Sequence, residues 1–355
     1  MTQWLGRGVI LNNQDAAIVF PDAVPEPECL SSLRLVRLRC QLRAVDDLAF
    51  HSFPASTFRR FYAALHHSMG CEGWRKDTPC APGCFYRSVF SSGPRADLPR
   101  DLREHPPAAL AIDFAAPRNA VVRRGEPLAL EIMLVGRSTA FYGPILQRVY
   151  EVGVQGLGSG RARFELESVH AAAHGGPRLV HTSAGDAPIS VAPELTWEDI
   201  KTCASSLRPD GIRIEFTQPT RLEWSRSQPG GIHIHFAELA RVCVARLRSV
   251  LLAHCLDGDL ERHERDLSLW REALLDLAPA VEVDCDLTDW RPQVRVDHND
   301  PDKYVCMPGA TGSVWFSGPL QPFLPLLAAS ELLQIGKHTS YGNGRFIIGR
   351  SDLSL

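Results

Sequence analysis

The chemistry in this chain gathers near its C-terminus, in residues 336–344, which read GKHTSYGNG. Glycines at Gly336, Gly342 and Gly344 permit positive φ and close backbone approach, so successive N–H groups can turn towards one anion. Lys337 adds a charge, Thr339 and Ser340 add hydroxyl donors, and Arg345 follows directly. That set suits a phosphate, although many glycine clusters are only turns. His338 lies inside the loop; His51, His66 and His67 lie in the N-terminal half. Histidine is the side chain that titrates in the range useful for proton transfer near neutrality. His66 and His67 fall at a helix C-terminus, which suits a dipole partner or a metal ligand. Cys71, Cys80 and Cys84 cluster in the polar loop CEGWRKDTPCAPGC. Three thiols can hold a structural zinc, with His66 or His67 as a fourth ligand, but the spacing is not the paired short-knuckle pattern, and free thiols are the alternative.

These residues need elements to position them. Around the C-terminal loop, SVWF ends at Gly318-Pro319, an apolar run extends to Leu333, and a short apolar run, Arg345 to Ile348, closes the series. The pattern predicts strand, helix, loop, strand. Residues 143–166, GPILQRVYEVGVQGLGSGRARFEL, repeat it: Gly-Pro opens an apolar helix, glycines 153, 156, 158 and 160 make a loop, and a basic-apolar strand follows. Arg161 and Arg163 flank that loop and are candidates for phosphate contacts; a solvated sheet edge would look the same. Both halves also open alike. RLVRLRCQL at 34–42 and GIRIEF at 211–216 alternate as strands, followed by helical stretches at 56–69 and 236–254. The first of these helices carries Arg59 and Arg60 away from its apolar face. The chain therefore reads as a degenerate duplication of α+β units, each an antiparallel sheet with helices on one face.

Several of these stretches together resemble the CRISPR repeat-RNA-processing endoribonucleases of the RAMP superfamily. They are GKHTSYGNGRF, the preceding SGPLQPFLPLL, IEFTQPTRLEW, and the block from MLVGR to GLGSGRARFEL. FHSFPASTFRRFYAALHH is similar to that family's turn into its first helix, and CFYRSVF to its Cys-Pro-Tyr stretch, with Phe85 where the proline is usual. The match spans residues 33 to 350 with gaps.

The resemblance implies two tandem ferredoxin-like (RRM-like) domains with glycine-rich loops. Residues 1–170 form the N-terminal domain with a cysteine-containing insertion, 171–210 a linker, and 211–355 the C-terminal domain. It also implies metal-independent cleavage of CRISPR repeat transcripts to guide RNAs. A base deprotonates the 2′-hydroxyl, leaving 2′,3′-cyclic phosphate and 5′-hydroxyl ends, with no cofactor in catalysis. His51, near the first strand-to-helix junction, matches the position of the general base, and His338 is its rival. Arg59, Arg60, Arg161, Arg163, the C-terminal loop and Arg345 would contact RNA. The alternative is a non-catalytic guide-RNA-binding subunit that works with other CRISPR effector subunits.

Bulk properties bound these readings. The 355 residues suffice for two domains, and 45% hydrophobic with 22% charged residues is a globular composition. No apolar run is long enough to span a bilayer and the N-terminus lacks a secretory pattern, so a cytoplasmic location is expected. A net charge of −3 is low for an RNA binder. The charge is segregated, however. Residues 257–302 hold 14 acidic side chains against 5 arginines, whereas residues 31–60 hold six arginines against Asp46 and Asp47. A local basic surface on a mildly acidic protein is therefore expected. The loop lacks a GxxxxGK[ST] pattern, and no dinucleotide fingerprint follows a strand into a helix, which disfavours a phosphate-binding metabolic enzyme.

Overall fold

The alternation of the first strand dictates its two faces. In a computed structural model that describes residues 24–49, 89, 94–114, 121–157, 160–183, 190–222, 233–292, 294–296, 304–339 and 342–349, β1 (Arg34–Ala44) buries Val36, Leu38, Cys40 and Leu42. Arg37, Arg39, Gln41 and Arg43 point to the opposite face. The rest of the first unit comprises β2 (Leu48–Ala49), β3 (Leu110–Phe114), β4 (Val121–Val122), β5 (Pro127–Val135), α1 (Tyr142–Gln155), β6 (Phe164–Ala171), β7 (Arg178–Thr182) and β8 (Leu195–Thr196). A helix α2 (Trp197–Ala204) leads to the second unit. That unit comprises β9 (Gly211–Thr220), α3 (Phe236–Val250), a π-helical turn Leu251–Cys255, α4 (Leu260–Leu277), β10 (Glu282–Arg291), β11 (Val294–Val296), β12 (Tyr304–Cys306), β13 (Gly309–Ser317), α5 (Leu324–Leu333) and β14 (Phe346–Ile348).

The main sheets are antiparallel and share one topology. The first runs β3-β5-β1-β6-β7, with β8 also on β1, and the second runs β10-β13-β9-β14. If each unit's four principal strands are numbered in chain order, both sheets read second, third, first, fourth. A helix joins third to fourth in each case: α1 in the first unit, α5 in the second. This is the ferredoxin-like arrangement in tandem, as expected. The stretch 171–210 contains β7 and β8, which pair with the first sheet, and α2, which packs on α5. A capping box holds the start of α2, with Thr196 N–H donating to Asp199 (2.8 Å) and Asp199 N–H to Thr196 Oγ1 (3.3 Å).

Each sheet packs its helices on one face. Under the first, Val36, Leu38, Cys40 and Leu42 meet Ile145, Leu146 and Val149 of α1. Under the second, Phe236 of α3 sits edge-on to Phe316 and Phe323, with ring centroids 5.2 and 4.8 Å apart. This second core also takes in Leu33, Leu35, Ala111, Met133 and Val135 of the first unit, so the two units share one apolar contact. No helix among the described residues is long and apolar enough to cross a membrane.

Ahead of α3, His233 to His235 are irregular, and His235 is the residue before the helix. Alternation there reflects one buried residue, Ile234, between exposed histidines. The acidic strand β10 is an edge strand, as its composition suggests. It is largely exposed along its length, and its carboxylates bond locally, with Asp286 accepting from Thr288 N (2.9 Å) and Ile234 N (2.9 Å).

Candidate nucleic-acid interface

The C-terminal glycine loop is held from inside. Gly344 has φ +81°, and a Cβ there would overlap the Ile335 carbonyl oxygen, so only glycine fits. The amides of Gly342, Asn343 and Gly344 donate to the carbonyls of Thr339 (3.0 Å), His338 (3.3 Å) and Pro219 (3.1 Å). Ile335 N–H donates to Gly344 O at 2.9 Å. These amides are committed within the protein, so the loop is first a rigid scaffold across the end of β9. Thr339, Gly342 and Gly344 are buried, Gly336 is half-buried, and Lys337 is exposed. His338 is half-exposed and has φ +63°, an uncommon conformation for a side chain of its size. Ser340 lies outside the described residues.

The first glycine loop closes in the same manner. Leu157 and Ala162 exchange backbone hydrogen bonds of 2.8 and 2.9 Å. Arg161 is exposed, with φ +48°. Arg163 forms a two-pronged pair with Asp46, at 2.8 and 3.1 Å, and its carbonyl accepts from Val45 N–H at 2.9 Å. The loop thus clamps the chain where it leaves β1 and heads for β2. His51, Arg59, Arg60, Cys71, Cys80 and Cys84 lie outside the described residues. What the structure does describe is the approach to His51: β2 pairs with β4, and Asp47 binds Arg123 (2.9 Å) and the Arg124 amide (2.8 Å).

Arg345, expected among the RNA contacts, is instead turned into a buried ionic joint. Its guanidinium bonds Asp113 of β3 and, at 3.0 Å, Glu131 of β5. Glu131 also receives Arg37 of β1 at 2.6 and 3.2 Å, and Gln218 of β9 reaches Asp113 at 3.4 Å. Arg345 is 14% exposed and Asp113 3% exposed, so the charges are largely removed from water. Burial pushes the Asp113 carboxyl up to about 6 despite Arg345 beside it. Burial also opposes ionisation of Glu131, but Arg37 and Arg345 outweigh it and hold that carboxyl below its usual range. Since the Arg345 carbonyl accepts from Thr217 N (3.1 Å) and Gln218 N (3.3 Å), the joint ties β9, the glycine loop and the first sheet together.

A second joint lies at the π-helical turn. Gly136, φ +58°, packs so closely that a Cβ would overlap the His254 carbonyl. His254 is buried, and its Nε2–H donates to Pro107 O at 2.7 Å. Burial, with Arg246, Arg95 and Arg137 nearby, pushes its pKa down to about 4. Asp113, Glu131 and His254 were invisible to motif reasoning. The one available signal was a lone carboxylate inside each apolar strand, LAIDF and LALEIMLV. Among the described residues, no cluster of three or more His, Cys, Asp or Glu side chains could hold a metal ion.

Residues 214–346, from β9 through the glycine loop, match the model of the CRISPR-associated endoribonuclease Cas6 family. Residues 33–192 match a separate model of an N-terminal domain, AF_1859_N. No curated protein matches the sequence significantly. Among solved structures, a product complex of Cas6 from Thermus thermophilus is similar with a TM-score of 0.51 and 17% identity, covering 89% of this chain and 100% of that one. A partial Cas6-RT-Cas1–Cas2 complex is similar with a TM-score of 0.52 and 13% identity, covering 91% of this chain and 47% of that one. At these identities the structural likeness speaks for the fold. The family match over residues 214–346 agrees with the resemblance to CRISPR repeat-processing endoribonucleases.

Proposed function

We propose that this chain is an endoribonuclease that cleaves CRISPR repeat transcripts into guide RNAs without a divalent metal. The observation that carries the reading is the Cas6 family match over residues 214–346, set in a tandem ferredoxin-like fold whose glycine loop is anchored to both units. In this mechanism His51 takes the 2′-hydroxyl proton. The 2′-oxygen attacks the adjacent phosphorus in line, the 5′-oxygen leaves with a proton, and a 2′,3′-cyclic phosphate remains. Lys337 and His338, at the surface of the loop, position the scissile phosphate or stabilise its added charge. Arg161 borders the other glycine loop and takes RNA phosphates, as do Arg59 and Arg60. Arg345 acts through the fold, by fixing the loop. Cys71, Cys80 and Cys84 would hold a structural zinc, which metal analysis of the purified protein tests.

The experiment is cleavage of a labelled repeat RNA in EDTA, with end-group analysis. One site cut to a cyclic phosphate supports the nuclease reading, and His51→Ala and His338→Ala then assign the base. The committed amides of Gly342, Asn343 and Gly344 favour a second reading, a non-catalytic guide-RNA-binding subunit beside other CRISPR proteins. Tight binding without cleavage of an intact 2′-hydroxyl RNA would select it.

A further inference from the structure

On the open face of the first sheet, one arginine is left over. Across β1, Arg39 pairs in register with Glu131 on β5 and with His170 on β6. Glu131 is the nearest carboxylate in that row, yet its two oxygens are taken by Arg37 and Arg345. Arg43, four residues along, pairs with Glu167 and donates to Gly125 O at 2.7 Å. Arg39 is exposed and makes no ion pair or hydrogen bond among the described residues. Arg37 and Arg345 are matched by Glu131 and Asp113, so the Arg39 guanidinium is the one on this face without a carboxylate partner among the described residues.

What surrounds Arg39 suits a nucleotide. His170 stands beside it as a half-exposed ring, and Leu179 of β7, 50% exposed, is His170's partner on the far side. Gln41 and Ser168, in register one step along the face, supply donors and acceptors. Facing side chains in an antiparallel pair lie about 5 Å apart. A cation, a ring, an apolar side chain and two polar groups thus share a patch the width of one extended strand. Single-stranded nucleic acid binds to such combinations of backbone cation and stacking surface.

We propose that the open face of the first sheet, centred on Arg39 and His170, binds the sugar-phosphate backbone and one unstacked base of single-stranded RNA. This rests on the RNA-processing reading above and adds a path for the strand outside the glycine loops. A phosphate contact is indifferent to sequence, so two probes separate the claims: oligouridylate and the repeat RNA, each titrated against wild type and Arg39→Ala over a salt series. Arg39→Ala should weaken both by about tenfold and lower the slope of log affinity against log salt by about one. His170→Ala should weaken both by less, and thermal midpoints should match wild type in both variants. Equal affinity and equal slope for Arg39→Ala and wild type on both probes would overturn the site. Loss confined to oligouridylate would also overturn it as part of the repeat path. Arg39-dependent binding of both probes with no preference for the repeat and no cleavage would keep the site and sink the nuclease reading. No binding of either probe by wild type would sink both.

Discussion

The two joints between the units do the same mechanical task with opposite chemistry. At one, Arg345, Asp113, Glu131 and Arg37 bring four charges together under little water. At the other, a backbone carbonyl of a π-helical turn presses against Gly136, and a neutral histidine donates to Pro107. The ionic joint depends on keeping every partner, because a buried charge left alone is expensive. The backbone joint depends on the absence of a side chain. Charge pairing fixes the glycine loop, while steric fit fixes the body of the second unit.

The largest effect is expected for Arg345→Met. It strands Asp113 and leaves Glu131 with Arg37 alone, and should cost about 3–5 kcal/mol in urea unfolding. Adding Asp113→Leu should recover part of that loss, and a double variant no better than the single would contradict the ionic account. Gly136→Ala should cost about 2–4 kcal/mol, combining the φ strain with the carbonyl overlap. No partner substitution should rescue it, since the obstacle is backbone.

Acid separates the joints by sign. The His254 pKa falls from 6.5 to about 4 on folding, so its contribution is complete above 6.5 and is lost as pH falls through that window. The Asp113 pKa rises from 3.8 to about 6, so the native state holds that proton more tightly, and its contribution grows as pH falls from about 6 to 3.8. Urea midpoints measured across this range should therefore fall more steeply in Asp113→Asn than in wild type, and less steeply in His254→Gln. Parallel curves for all three would show that neither group is linked to folding. The smallest effect belongs to Arg137→Ala. Its pair with Asp257 is exposed, so the cost should stay within about 1 kcal/mol, and a larger loss would place the second joint outside the turn.

Much of the fold was legible in the residues because it is written in local pattern. Alternation marked β1 and β9, Gly-Pro marked the openings of α1 and α5, and glycines marked both loops. Repetition then made the duplication visible, and both sheets share the expected order. The ionic joint was not legible, because Arg345 and Asp113 are 232 residues apart and a lone arginine after a glycine loop looks like an RNA contact. His51, Arg59, Arg60, the three cysteines and Ser340 fall outside the described residues, so their readings stand as proposals.

The edge strand β10 has a consequence for how a polyanion would meet this molecule. Glu282, Asp284, Asp286 and Asp289 run along it, and α4, which precedes it in the chain, carries five carboxylates against three arginines. The arginines of β1 belong to the other unit. Charge is thus segregated at a net charge of only −3, and the acidic edge repels an approaching nucleic acid while the first sheet does not. The same carboxylates repel the edges of other copies, which protects a long exposed strand from pairing with them.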